Sequence, residues 1–322
     1  MQAFDLIRPT DLPAAIAAMG KGRRFIAGGT DLLQLMKENI ETPSALIDLD
    51  ALALDGIGAD GGGLMLGALA RMADVAAHPA VRAEYPAISQ ALLSAASPQV
   101  RNMGTVGGNL LQRTRCVYFR DAAFPCNKRT PGAGCPAIAG QNRMLAILGG
   151  SADCIATHPS DLPVALAALE ATVVMQGPNG TRRVPISDFY LLPGTTPGQE
   201  TVLAPDEIIT MIEVPASAWA RRSAYVKLRD RASFEFALVA AAVALDVRDG
   251  TIAAARVALG GVAAKPWRAM AAEAALVGQK ADGATFAQAA ALATEGARPA
   301  GRNGFKVRLA QRAVARALGA LV

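Results

Sequence analysis

Short stretches with period-two apolar patterning alternate along this chain with stretches at helical spacing, and glycine or proline marks most of the breaks. Asp11 followed by Pro13 predicts a helix start, with an apolar helix from Leu12 to Met19 that stops at Gly20. Arg24 to Ala27 reads as a strand, followed by Gly28-Gly29-Thr30 and a helical run from Asp31 to about Asn39. Ala45 to Leu49 and Gly63 to Leu69 are further strands, the second after a glycine-rich turn at Gly61. A mostly helical region from about Met72 to Ala96 is interrupted by Pro79 and Pro86, and Ser97-Pro98 stops it. Later, Leu162 to about Glu170 is an apolar helix capped by Ser160 or Asp161. Val173 to Ile186 is a hairpin turning at Asn179-Gly180, and Glu207 to Val214 is a strand. Pro215 to Arg222 marks a boundary, which divides the chain into residues 1–218 and 219–322. Beyond it, strands at Ala224 to Arg229, Ala237 to Val247 and Ala253 to Gly260 precede three helices, roughly Lys265 to Val277, Ala284 to Ala297 and Gly304 to Leu318. Strands followed by helices in this way predict an α+β layer arrangement.

Composition narrows the function classes. At 322 residues the chain can bury two or three apolar interiors. No apolar run is long enough to cross a bilayer, so a soluble protein without a membrane span is expected. The net charge of +5 is modest, and basic residues do not interleave with aromatics as nucleic-acid binding requires. Met1 to Pro13 carries Asp5, Arg8 and Asp11 and lacks the apolar core of a signal peptide, so work outside the cytoplasm would need a partner to carry the chain there.

Two glycine and hydroxyl loops carry the first chemistry. Gly28-Gly29-Thr30, between a strand and a helix, would let the backbone approach a phosphate closely, with Thr30 as the hydroxyl cap. Alone it reads more readily as a tight strand-to-helix turn with Thr30 as an ordinary N-cap. Gly104, Gly107 and Gly108 flank Thr105 and Val106, so that backbone amides and the Thr105 and Asn109 side chains could face a ligand. Together the loops favour a dinucleotide, and their spacing is not that of the Rossmann fingerprint.

All four cysteines, Cys116, Cys126, Cys135 and Cys154, follow the second loop within 39 residues. With nine, eight and eighteen residues between them, they lack the close pairs usual for zinc. Disulfides would need an oxidising compartment and suit smaller folds. An iron-sulfur cluster tolerates such spacing, and Pro125, Pro131, Gly132, Gly134 and Pro136 keep the segment irregular. Arg113, Arg115, Lys128 and Arg129 would offset a cluster's negative charge. The residues themselves leave the three readings open. His158, before a proline, reads as structural, and the basic group Lys227, Arg229 and Arg231 reads either as a solvated strand face or as a source of one cation, Lys227, for a cofactor.

Taken in order, Ile26-Ala27-Gly28-Gly29-Thr30-Asp31-Leu32, Arg101-Asn102-Met103-Gly104-Thr105-Val106-Gly107-Gly108-Asn109, Ser160-Asp161-Leu162 and Tyr225-Val226-Lys227 resemble the FAD-binding subunits of the molybdenum hydroxylases, the xanthine dehydrogenase family. The likeness is nearest to the flavin and 4Fe-4S subunits of bacterial periplasmic aldehyde oxidoreductases. It is carried there by Leu110 to Cys116, Pro125-Cys126-Asn127-Lys128-Arg129 and Cys154 to Asp161, an insertion that most of the family lacks.

The resemblance implies a p-cresol methylhydroxylase-type FAD-binding domain of two α+β subdomains, with the cysteine insertion at about 110–156, followed by a C-terminal α+β domain of the CO dehydrogenase flavoprotein type. It implies FAD on Ile26, Ala27, Gly28, Gly29, Thr30, Asp31, Leu32, Leu33, Asn102, Thr105, Gly108, Asn109, Asp161, Ile208 and Lys227, with Ile208 acting through its backbone and Lys227 near the flavin ring. It implies a 4Fe-4S cluster on Cys116, Cys126, Cys135 and Cys154, and no catalytic acid, base or nucleophile in this chain. A large subunit with a molybdenum cofactor and a small subunit with 2Fe-2S clusters are the implied partners in a heterotrimer, with an external electron acceptor. Periplasmic location by co-export is implied, with the cytoplasm as the alternative. A 4-hydroxybenzoyl-CoA reductase-like flavin subunit, and a zinc- or disulfide-stabilised nucleotide-binding module, are the competing functions.

Overall fold

Three sheets, each with its own helices, build the chain, and the computed structural model describes residues 1–322. The first unit is β1 (Asp5–Ile7), α1 (Leu12–Ala17), β2 (Arg23–Ile26), α2 (Leu32–Lys37) and β3 (Ala45–Asp48), whose strands form a parallel sheet in the order β1-β3-β2. The expected cap of α1 is present, with the Asp11 carboxylate accepting from the Ala14 amide at 2.8 Å.

The second unit contains β4 (Ile57–Asp60), β5 (Gly63–Gly67), α3 (Met72–Ala77), α4 (Pro79–Glu84), α5 (Pro86–Ser94), α6 (Pro98–Met103), α7 (Val106–Leu110), α8 (Val117–Arg120), α9 (Leu162–Ala168), β6 (Thr172–Gly177), β7 (Gly180–Pro185), α10 (Ile186–Phe189) and β8 (Ile208–Pro215). Its antiparallel sheet runs β4-β5-β8-β6-β7. Strand β8 therefore completes the centre of the sheet by pairing with β5, about 150 residues earlier.

Several expectations need correction here. Strand β4 was not expected; its sequence Ile-Gly-Ala-Asp is too short and too poor in apolar residues to signal a strand, and it forms as the hairpin partner of β5. Ser97-Pro98 stops one helix and starts another, because the Ser97 hydroxyl caps α6 by accepting from the Val100 amide. Gly104 to Asn109 is not an open loop: Thr105 caps the short helix α7 and accepts from Gly108 N at 3.2 Å. The hairpin between β6 and β7 turns on Pro178 and Asn179, with Gly180 at φ +104° beginning the return strand.

The third unit is β9 (Ser223–Leu228), β10 (Val239–Arg248), β11 (Thr251–Gly260), β12 (Trp267–Arg268), α11 (Met270–Leu276), α12 (Gly283–Leu292) and α13 (Phe305–Gly319). Its antiparallel sheet is ordered β12-β11-β10-β9. Strand β10 shows why this sheet reads as one apolar run: Val239, Ala241, Val243 and Leu245 pack towards α11, α12 and α13, while Ala240, Ala242 and Ala244 pack against the second unit. The alanine face lets α9 lie close on the sheet, so the second and third units share one core.

The third unit also holds the segment just before Cys154. Lys306 on α13 is fully buried, and its ammonium donates to the carbonyls of Met144 and Leu145, each at 3.0 Å, and of Gly261 at 2.5 Å. Burial, with the Arg143 charge adding to it, pulls its pKa down to about 7. Asn303, equally buried, donates to the carbonyls of Leu145 and Ala146. No helix is long and apolar enough to cross a membrane.

Candidate functional site: a dinucleotide cleft joined to a cysteine insert

The two glycine loops meet. A Cβ on Gly28 would lie 1.9 Å from the Met103 carbonyl oxygen, so the absence of a side chain there is imposed by the second loop packing onto the first. Gly29 has φ +67°, the left-handed conformation that glycine adopts freely. The second loop is fastened in turn by Met72 N to Gly104 O, Val106 N to Ala70 O and Gly107 N to Ala68 O, at 2.8–3.0 Å. Between and beneath these loops, β8, β9 and the segment after β9 enclose a cleft of about 600 Å³, a size typical of cofactor sites.

Most of the expected cofactor residues line this cleft: Ile26 to Leu32, Thr105, Gly108, Asn109, Asp161, Ile208 and Lys227. Leu33 and Asn102 do not. The Leu33 side chain folds back under Gly29, and Asn102 lies exposed on α6. The Asn109 amide is committed to the protein, accepting from the Ser160 hydroxyl and facing the Met72 sulfur.

Neither expected cap forms. Thr30 does not cap α2, because Asp31 occupies that position and turns its carboxylate away. Asp161 occupies the N-cap of α9 but makes no cap bond. Its carboxylate instead accepts from Tyr225 Oη and pairs with Lys227 Nζ at 2.8 Å, and the side chains of Asp161 and Lys227 are only 5 % and 3 % exposed. Lys227 also donates to the Ser94 carbonyl at 3.1 Å. The solvated-face reading of this basic group fails for Lys227: two acceptors, the Asp161 carboxylate and the Ser94 carbonyl, hold its ammonium in the cleft wall, where a cation would stabilise negative charge on a bound cofactor.

Asp31 faces the insert. Its carboxylate accepts from the Arg113 amide at 2.7 Å and pairs with the guanidiniums of Arg115 and Arg120, both at 2.8 Å. Arg113 reaches Glu41 at 2.7 Å and also Glu200, and the buried Lys128 pairs with the same Glu200 at 2.9 Å. Arg113 and Arg115 therefore line the cleft as well as flank Cys116, a role their sequence position among the cysteines did not disclose. The guanidinium of Arg115 lies over Phe236, 4.7 Å from the ring centre, and Phe236 too lines the cleft.

The four cysteines, all free thiols, border one small cavity of about 10 Å³. Burial pushes the Cys116 thiol up to about 11 and raises Cys135 and Cys154, so none of these three is a ready nucleophile. Opposing that, backbone N–H groups of Tyr118 and Phe119 face Cys116, and those of Ala137, Ile138 and Ile155 face Cys135. Such donors suit sulfur that is held as thiolate by a metal. Arg129 donates to the carbonyls of Tyr118, Phe119 and Phe124 and has no carboxylate partner, which leaves positive charge beside the thiols. No three of the His, Cys, Asp and Glu side chains are arranged to grip a single ion. The thiols thus border a common cavity without forming a closed ligand set.

His158 belongs to the scaffold. It is half-buried, packs edge-on to Tyr190 at 4.7 Å and accepts from the Ser160 amide, and desolvation lowers its pKa to about 4.

An α+β fold with a cleft of this size between glycine loops, and a buried cation in its wall, defines a dinucleotide-cofactor protein. Comparison with known proteins narrows that class. The family described as FAD binding domain in molybdopterin dehydrogenase matches residues 2–217, and the CO dehydrogenase flavoprotein C-terminal domain matches residues 223–321. The aldehyde oxidoreductase FAD-binding subunit PaoB of Escherichia coli (strain K12) is 49 % identical over 99 % of this chain and 98 % of its own length. The carbon monoxide dehydrogenase medium chain of Hydrogenophaga pseudoflava is 30 % identical over 81 % of this chain and 75 % of its own. Among solved structures, carbon monoxide dehydrogenase from Hydrogenophaga pseudoflava superposes with a TM-score of 0.78 at 29 % identity, covering 99 % of this chain and 97 % of that one. Quinoline 2-oxidoreductase from Pseudomonas putida 86 gives 0.77 at 28 % identity, with the same coverage. The chain belongs to the FAD-binding subunits of the molybdopterin dehydrogenases, the molybdenum hydroxylase family, and is a subunit of an oxidoreductase.

Proposed function

We propose that this chain is the FAD- and 4Fe-4S-containing electron-transfer subunit of a molybdenum-dependent aldehyde oxidoreductase. The aldehyde assignment is supported by the near-half identity, over the full length, to a chain named for that activity. The observation that carries the cluster is the convergence of four thiols from four separate points of an irregular segment onto one cavity, with backbone N–H donors and unpaired guanidinium charge around them.

In this reading a large partner oxidises an aldehyde and water to a carboxylic acid at its molybdenum cofactor. Two electrons leave through the 2Fe-2S clusters of a small partner, and this chain passes them to an external acceptor. Bound FAD supplies a two-electron carrier able to release its electrons singly. The residues of this chain bind and orient it: the Gly28-Gly29 turn and α7 shape the cleft, and Lys227, held by Asp161, places a cation in its wall. No side chain is required to act as acid, base or nucleophile. The heterotrimer and a periplasmic location reached by co-export with a partner are part of the proposal, supported by the family likeness.

The test is an anaerobic absorption spectrum of the purified chain, with iron and acid-labile sulfide analysis. Flavin bands over a broad iron-sulfur background, with about four irons per chain, are expected. Flavin without iron sinks the cluster, and a colourless zinc protein sinks the whole reading.

A further inference from the structure

The positive charge of this chain is concentrated at its C-terminal end. Residues 265–322 carry nine Lys and Arg against three Asp and Glu, a surplus of +6, while the whole chain carries only +5. Three of these cations form a line: Arg308, Arg312 and Arg316 lie at i, i+4 and i+8 on α13, and all three are exposed. The opposite face of the helix, with Ala310, Ala313, Val314 and Ala317, is buried in the core of the third unit. None of the three arginines has an ion pair or a side-chain hydrogen bond within the chain, whereas Arg248, Arg256 and Arg268 of the same unit are all paired. Like charges at this spacing destabilise a helix. The stripe is therefore kept against its own repulsion, with no acid in the chain to relieve it.

The surface beside the stripe carries no charge. Helix α12 packs against both α11 and α13, and Gly283 to Leu292 includes no charged residue, although a helix that faces water ordinarily carries charge on its outer side. Met270 on α11 and Leu292 on α12 stand exposed. Interfaces between proteins are enriched in Met and Arg and depleted in Lys and Glu, which is the pattern of this face. A second copy of the chain does not fit it. A two-fold interface must be self-complementary, and beyond Asp282, which caps α12, the face offers only Glu295 to answer its arginines. A lipid surface does not fit either, because helices that lie in a membrane surface bury Trp, Phe or Leu, and the exposed side of α12 is mainly alanine. What fits is a protein surface that bears carboxylates.

The position of the stripe selects among the partners. On β9, Val226 and Leu228 face the helix layer, while Tyr225 packs into the core shared with the second unit and Lys227 lines the cleft. Helix α13 lies on β9 and β10 from the side away from the cleft, and the stripe is on its outer surface, a further helix thickness of about 10 Å away. A protein that exchanges electrons with the flavin has to reach the cleft, and one docked on the stripe has the sheet and the helix layer in between. The 2Fe-2S subunit and the external acceptor are both of that kind. The large subunit is not, because its electrons arrive through the small one. We propose that the outer face of α11, α12 and α13, edged by Arg308, Arg312 and Arg316, is the surface on which the large molybdenum-cofactor subunit docks through carboxylates of its own, an inference that rests on the subunit reading made above.

The experiment co-expresses the full chain with its large and small partners and measures how much large subunit stays with it in size-exclusion chromatography at rising salt. Wild-type assembly is expected to hold at low salt and to loosen as salt screens the contact. Arg308→Glu, Arg312→Glu and Arg316→Glu together should weaken the hold on the large subunit by on the order of a hundredfold, with the flavin content of this chain unchanged. Arg312→Glu alone serves if the triple reversal does not fold. Arg308→Lys, Arg312→Lys and Arg316→Lys together should restore assembly, and that form is then treated with a carbodiimide, which joins a lysine amine to a carboxylate as an amide and takes up the water released. Cross-links from these three positions, mapped by mass spectrometry, are expected on the large subunit. Cross-links to the small subunit or to another copy of this chain overturn the proposal. So does a charge reversal that leaves the assembly intact, and so does wild-type chain that binds phosphatidylglycerol vesicles where the reversal does not. Wild-type chain that retains no large subunit at any salt overturns the subunit reading itself, and the docking face falls with it.

Discussion

The flavin cleft and the cysteine insert lie side by side and are built by opposite means. The cleft is made by backbone: a left-handed glycine, a Gly28 that admits the Met103 carbonyl, and a run of backbone hydrogen bonds that fastens the second loop onto residues 68–72. The insert has almost no regular structure, only the single turn α8, and is held by side chains reaching across the chain, Arg120 to Asp31, Lys128 to Glu200, Lys306 to Met144 and Leu145. A surface built from local backbone geometry tolerates little change in residue size but needs few distant partners. A segment built from long-range side-chain bonds is the reverse, and its order depends on everything it touches.

That contrast can be broken by substitution. Cys116→Ser is expected to abolish iron binding, read by iron and sulfide analysis, while FAD is partly retained; complete loss of both would mean that the insert holds the cleft together outright. Gly28→Val should cost about 3 kcal/mol or more, because a branched side chain must displace backbone. It should release FAD, and protein that stays yellow would refute the packing of the two loops as described. Lys306→Met should destabilise by about 2 kcal/mol in denaturant titration, since the part-buried carbonyls of Met144 and Gly261 lose their donor while that of Leu145 keeps Asn303. A neutral result would mean that the segment around Met144 reseats without it.

The next effect is one of pH. His158 is half-buried, and desolvation holds its pKa at about 4 against 6.5 unfolded. The unfolded chain therefore binds a proton that the folded chain refuses, and stability, complete above pH 6.5, is lost as pH falls from 6.5 to 4. The loss is on the order of 3 kcal/mol, and His158→Gln should flatten it. The smallest effect expected is that of Arg183→Ala: its pair with Glu213 is exposed and should contribute less than about 1 kcal/mol.

The same contrast governs what could be read from the sequence. The strand, glycine turn and helix around Gly28, the proline-cut helices α3 to α5 and the hairpins were legible, because each is specified by neighbours within a few residues. Strand β4 was not, since it depends on its partner β5 more than on its own composition. The failure at Thr30 and Asp161 has one cause: both cap readings used local chemistry, and both carboxylates at those helix starts were claimed by distant cations, Asp31 by Arg115 and Arg120 and Asp161 by Lys227. The cysteines and the basic residues among them stood out as a group. That Arg113 and Arg115 would also reach the cleft was hidden, because nothing in a chain order tells which of two sites a long cationic side chain serves.

The buried ammonium of Lys306 has a consequence for biosynthesis. A ribosome makes the chain from its first residue onward, and the carbonyls of Met144, Leu145 and Ala146 find their partners only in Asn303 and Lys306, some 160 residues later. The segment leading to Cys154 therefore stays unseated throughout most of translation. That segment reaches its final place only once α13 has left the ribosome, so its ordering is a late event in the folding of this chain.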